Sequence, residues 1–276
     1  MVKGIDISYH NGVVDLEKAK AAGIDFVIIR MGYGDNISTQ DDKQFINNVR
    51  KAKAAGLNWG LYLYSYATNM DHVESEVRHT VRLLKSVTRP PLGIWWDSED
   101  NTTLGCNLVS FFTYYKNKVE EETGYPVGLY SYYAFYNKKF KAIEDKDFPL
   151  WFARYNNVLP ESYYKDFCDI WQYSSSGKVN GIGNNVDMNR LHRRSITAVL
   201  PVWRGLYGEK NARKKMLAAA GYNADEVQKL VNKYGKAADD VLDNKYGTGE
   251  QRISNLKKAG YNAYIVQQIV NIKVVG

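Results

Sequence analysis

Two carboxylates two residues apart, Asp97 and Glu99, close the apolar run Ile94-Trp95-Trp96. Side chains at i and i+2 of a strand share a face, roughly 7 Å apart along the chain. That spacing suits two acids flanking a glycosidic bond, one giving a proton and the other stabilising positive charge. The run is introduced by Pro90-Pro91 and reads as a buried strand whose acidic end opens on the catalytic face of a β/α barrel. A strand end with solvated acids fits the same six residues, so the surroundings decide. Asp6 lies at the end of the first apolar run, Gly4-Ile5-Asp6-Ile7-Ser8, and Asp187 closes the last, in Asn185-Val186-Asp187-Met188-Asn189. Between them the strand ends carry aromatics, including Tyr62 and Tyr64, Tyr130, and Trp151. Tyrosine is over-used, with 22 in all. Its ring offers an apolar face to a sugar's C–H groups, and its hydroxyl meets the polar rim. Barrel core is the other use for such rings, because inward-facing layers need bulk.

Other chemistries find less support. His10, His72, His79 and His192 have no zinc spacing, and there is no His-Glu-x-x-His, so no metal is expected. Neither a Gly-x-Ser-x-Gly elbow nor a phosphate-cradling glycine loop is present, and no cofactor is implied. Cys106 and Cys168 form no metal or disulfide pattern, which makes reduced thiols the expectation.

The elements that must position these acids alternate. Strands are expected at residues 4–8, 26–30, 59–64, 92–96, 127–130, 150–153 and 170–173, with a last one closing at Asp187. Helices are expected at 15–22, 41–55, 72–87 and 108–122. Such alternation implies parallel sheet, and about eight strands in about 190 residues imply a compact barrel. Little room is left for a full helix between Leu150 and Tyr173, so the fold class is α/β, an irregular TIM-like β/α barrel with thin cover late in the order.

After Leu191 the texture changes. Residues 192–200 read as a linker, and an internal repeat follows. Val202–Lys233 laid on Val241–Ile272 at an offset of 39 gives 14 identities in 32 positions, among them Ala220-Gly221-Tyr222-Asn223-Ala224 on Ala259-Gly260-Tyr261-Asn262-Ala263. Chance does not produce this; a unit has been duplicated. In each unit a helix is expected to end at the left-handed glycine, with the asparagine capping the next. A shorter helix before Tyr207, and its counterpart at 237–244, would complete a small all-α region of two three-helix repeats. The expected domains are therefore 1–191, the linker 192–200, and repeats at 201–235 and 236–276.

Charge divides the same way. From Pro201 onward there are 13 Lys+Arg against 7 Asp+Glu, or +6, which leaves +1 of the total +7 for the front part. A basic tail favours anionic partners such as wall polymers, lipid headgroups or nucleic acid, and is also simply soluble surface. It carries no nucleic-acid motif, so none is expected as a partner. No apolar run reaches the roughly 20 residues of a membrane span, so no insertion is expected. The start, Met-Val-Lys-Gly-Ile-Asp-Ile-Ser, has no signal core, which suggests synthesis in the cytoplasm without ordinary secretion.

Residues 1 to about 191 resemble the glycoside hydrolase family 25 lysozymes found in bacteriophage endolysins and in bacterial and fungal muramidases. The matching stretches are Gly4–Ser8, Gly60–Tyr64, Ile94–Glu99, Leu150–Tyr155, Ile170–Tyr173 and Val186–Asn189. The duplicated tail is similar to the choline-independent wall-binding repeats of phage lysins, through Arg213 and Arg252, the Ala-Gly-Tyr triplets, and the Val-Gln and Val-Asn pairs. The resemblance implies hydrolysis of the β-1,4 bond from N-acetylmuramic acid to N-acetylglucosamine in peptidoglycan. It implies Glu99 as proton donor and Asp97 assisting the substrate's own 2-acetamido group. Asp6 and Asp187 match the remaining two acids of the groove, and Tyr62, Tyr64, Tyr130 and Trp151 would shape its subsites. It further implies an endolysin that reaches the wall after holin-dependent release. An inactive wall-binding protein on a lysozyme-like barrel is the other reading, and retention of all four acids argues against it.

Overall fold

The computed structural model describes residues 2–146, 148–155 and 160–275. The chain divides into two compact units. One comprises Met1–Lys141, Pro149–Arg193 and Ala219–Gly221, the other Ala142–Phe148, Arg194–Ala218 and Tyr222–Gly276.

In the first unit eight strands close into a barrel in sequence order: β1 (Val2–Ile7), β2 (Phe26–Tyr33), β3 (Asn58–Tyr64), β4 (Ile94–Asp97), β5 (Val127–Tyr132), β6 (Leu150–Ala153), β7 (Ile170–Gly177) and β8 (Val186–Leu191). The interleaved helices are α1 (Leu16–Ala21), α2 (Phe45–Ala54), α3 (Met70–Leu84), α4 (Leu108–Thr123), α5 (Tyr133–Lys139) and α6 (Glu161–Phe167). The late helices are short, seven residues each, and for α6 the limited room between Leu150 and Tyr173 requires it. Strands β1 to β7 run parallel, but β8 is antiparallel to both β7 and β1. Alternation predicts an all-parallel order, and chain length explains the difference. Only residues 178–185 join β7 to β8, and a parallel return needs a crossover of about a dozen residues or more.

Helix α2 begins at Phe45 rather than near Asp41. Asp41 is engaged elsewhere, accepting from Arg82 and from the ring of His79 on α3. The interior is filled by large side chains from successive strands, Phe26, Tyr62, Trp95, Tyr130, Trp151 and Ile170 among them. Strand β4 is buried along its whole length, because its outer face lies under helices and its inner face fills the barrel.

The second unit is helical: α7 (Val199–Trp203), α8 (Lys210–Ala219), α9 (Ala224–Leu242), α10 (Gly249–Lys258) and α11 (Ala263–Val275). Helix α9 is continuous, so the separate helix expected at 237–244 is its C-terminal half. Gly235 in its middle is no breaker; a Cβ there would stand 2.7 Å from the Trp203 ring. The residues expected as linker are ordered, with a 3-10 turn at Ser195–Ala198 leading into α7. The cause is their apolar content, since Val199 and Leu200 pack into one core with Val241, Ile265, Val266 and Ile269. Gly221 and Gly260 take left-handed φ of 85° and 77°, and Asn223 and Asn262 cap the following helices. A second network recurs as well. Arg213 donates to the Gly208 carbonyl and Gln228, and Arg252 does the same to Gly247 and Gln267. Among the described residues no helix is long and apolar enough to cross a membrane.

Candidate active site

Strand order carries the acids to one mouth. Asp6 lies at the C-terminal end of β1, Asp97 at that of β4, and Glu99 two residues beyond it. Asp187 arrives by the opposite route. It stands at the start of β8, not at its close, and because β8 is reversed its start pairs directly with Asp6. Glu99 lies past the strand, yet pairing continues under it, with the Ser98 amide donating to the Tyr130 carbonyl and Ser131 Oγ to that of Ser98. All eight residues expected at the site, Asp6, Asp97, Glu99, Asp187, Tyr62, Tyr64, Tyr130 and Trp151, line one cavity of about 320 Å³. Trp151 forms part of its floor, almost wholly buried against Tyr130 and Trp95.

The four carboxyl groups differ in environment. Burial pushes Glu99 up to about 7, Asp187 and Asp100 add to the rise, and a hydrogen bond from Tyr130 opposes it. Burial also raises Asp97 well above the usual carboxylate range, reinforced by Glu99 and Asp6 and countered by the Arg30 guanidinium. Asp6 is raised by burial and by the Asp187 charge, although Asn189 and Gln172 donate to its Oδ2 at 2.8 and 2.9 Å. Asp187 is raised by burial, with a hydrogen bond from Asp6 pulling it down. The cavity therefore holds a carboxyl able to give a proton near neutral pH beside a second acid, between aromatic walls.

Residue-type reasoning missed the polar network beneath these acids. Gln172 links Asp6 to the hydroxyls of Tyr130 and Tyr155, and Asn189 links Asp6 to Trp151 Nε1. Arg30 lines the same cavity. The available signal was a polar residue inside an otherwise apolar strand, which is rarely buried without a partner. Behind the mouth, buried Glu76 of α3 accepts from Trp96 Nε1 and the Tyr66 amide, tying the ends of β3 and β4 to that helix.

A closed β/α barrel with an acid of near-neutral pKa and a second acid in an aromatic mouth is the architecture of a glycoside hydrolase. The chain belongs to glycosyl hydrolases family 25, whose model matches residues 5–182. The CW_7 repeat model matches residues 199–234 and 236–274. An autolytic lysozyme of Clostridium acetobutylicum is 31% identical over 199 residues, which is 69% of this chain and 56% of that protein. The modular autolysin LytC of Streptococcus pneumoniae superposes with a TM-score of 0.56 at 29% identity, over 68% of this chain and 46% of LytC. A family 25 glycosyl hydrolase from Bacillus anthracis shares the fold, with a TM-score of 0.57 at 20% identity over 70% of this chain and 90% of that one. The chain thus spans about half the length of the first two relatives.

Proposed function

We propose that this protein is a muramidase of endolysin type, cleaving the β-1,4 bond from N-acetylmuramic acid to N-acetylglucosamine in bacterial peptidoglycan. The observation that carries the reading is Glu99, a carboxyl raised to about 7 by burial in a cavity it shares with Asp97. As general acid it protonates the leaving oxygen while the C1–O bond breaks. Asp97 accepts from the N–H of the 2-acetamido group, whose carbonyl oxygen attacks C1 in place of a protein nucleophile. Water then opens the resulting ring intermediate, with Glu99 taking the proton back. Asp6 and Asp187 hold sugar hydroxyls or the water, and Tyr62, Tyr64, Tyr130 and Trp151 shape the subsites.

The barrel, residues 1–191, performs this chemistry at the wall, and the repeats at 201–235 and 236–276 hold the enzyme there. Tandem repeats support that division, since two weak sites on a repetitive polymer gain avidity. Their excess positive charge suits anionic wall polymers as a second contact.

Mass spectrometry of borohydride-reduced products from purified peptidoglycan tests the bond. Reduced muramic ends are expected; reduced glucosamine ends or no new ends would overturn the assignment. Glu99→Gln should lower turnover by about 10³-fold or more, in the upper part of the 10²–10⁴ that general acid catalysis typically supplies. Wall binding should survive that substitution, and appreciable residual lysis would remove Glu99 from the role.

A further inference from the structure

In the proposed mechanism Asp97 lines the cavity as a carboxylate, and by Coulomb's law a carboxylate prefers a cation to a neutral group. The proposed substrate presents a neutral acetamido group at C2, and loss of its acetyl leaves an ammonium at the same carbon. Left to that carboxylate alone, the cavity would favour the wrong sugar. Arg30 works against this preference, as the permanent cation among the described lining residues.

The guanidinium is built in rather than draped over the surface. Arg30 is 8% exposed, and its Nε donates to Asp42 Oδ2 at 2.8 Å. Asp42 is itself held by the amides of Tyr9 and Gln44. The rings of Tyr9 and Tyr33 lie 4.9 and 5.7 Å from the guanidinium carbon. So anchored, Arg30 keeps Nη2 buried with no hydrogen-bond partner among the described residues, and Asp97 Oδ1 on the same cavity is buried and has none among them either. A buried polar group without a partner is costly, so one donor and one acceptor left open together point to a ligand that completes both. An N-acetylated sugar offers an acceptor oxygen and an amide N–H. An ammonium offers donors alone.

We propose that Arg30 is a specificity-determining residue that makes the cavity select an N-acetylated sugar over one with a free amine. Its Nη2 donates to an oxygen of the bound sugar, and its charge repels an ammonium at C2. The inference takes the identity of the sugar from the muramidase reading and is independent of which group donates the proton.

Calorimetry on the full chain carrying Glu99→Gln tests it without turnover. The probes are a tetrasaccharide of alternating N-acetylglucosamine and N-acetylmuramic acid and the same tetrasaccharide with its amines freed. Any binding by the repeats is common to all variants, so differences between variants report the barrel. Adding Arg30→Met should weaken the acetylated probe about tenfold, the worth of one charged hydrogen bond, and strengthen the free-amine probe. Arg30→Lys, which keeps the charge, should still disfavour the amine. Arg30→Met with Asp42→Asn leaves no buried charge unpaired, which guards against a simple loss of fold. An unchanged ratio between the probes in these folded variants would overturn the proposal. Release of reducing ends by the Glu99→Gln chain would instead count against the catalytic reading, while the probe ratio would still decide the role of Arg30.

Discussion

At the scale of single residues, the site turns on how burial sorts four chemically similar acids. Asp6 and Asp187 pair directly across adjacent strands, and burial raises both, Asp6 also through the Asp187 charge. Glu99 stays protonated up to about pH 7 because it has left most of its water behind. A general acid works only while it holds its proton, so hydrolysis should fall as pH rises through that value, about tenfold per unit. In the proposed mechanism Asp97 works as a carboxylate, so its raised pKa places the loss on the acid side higher than an exposed aspartate would. A pH series of kcat on soluble glycan checks both limbs; a rate that stays flat from pH 6 to 9 would contradict Glu99 as the acid. Asp97 and Glu99 were legible in the sequence through their spacing. Gln172, Asn189 and Arg30 were not, because a lone polar residue in a strand does not say which carboxyl it will meet.

At the scale of elements, the reversal of β8 matters most. Had the last strand been parallel, the Asp187 end would have opened at the other rim, away from Asp97 and Glu99. The short β7–β8 connection prevents this, and its length could be counted in the sequence even though strand alternation alone pointed to a parallel order. Helix α9 offers a similar case. Gly235 sits where one repeat was expected to hand over to the next, yet the helix passes through it and the missing side chain makes room for Trp203. Gly235→Val should therefore overpack that contact and cost the helical unit about 1–3 kcal/mol. Thermal melts followed by far-ultraviolet dichroism would show it, with hydrolysis of soluble glycan unchanged. A neutral or stabilising result would mean that Trp203 can move aside.

At the scale of the whole molecule, a near-neutral barrel precedes a basic, duplicated tail. The repeated identities are explained in part by structure: Arg213 with Gln228, and Arg252 with Gln267, brace one helix against the next within each repeat. Deleting residues from about 195 onward should weaken pelleting with intact walls far more than it slows turnover of soluble chains. Two linked weak sites typically bind about 10²-fold or more tighter than one, and the deletion removes both. Equal losses in the two assays would mean that the repeats serve the barrel's stability instead.

The sequence by itself determined the barrel, the acid pair and the duplication, because each is written in local periodicity or in self-similarity. It also carried the family, through short stretches spread over the whole front unit. Only the tertiary structure decided which acids meet, how Arg30 is anchored, and that α9 runs on through a repeat boundary. Those outcomes depend on which side chains meet after the chain has closed on itself, and residues 166 or 183 positions apart, as Gln172 and Asn189 are from Asp6, leave no local trace of their meeting.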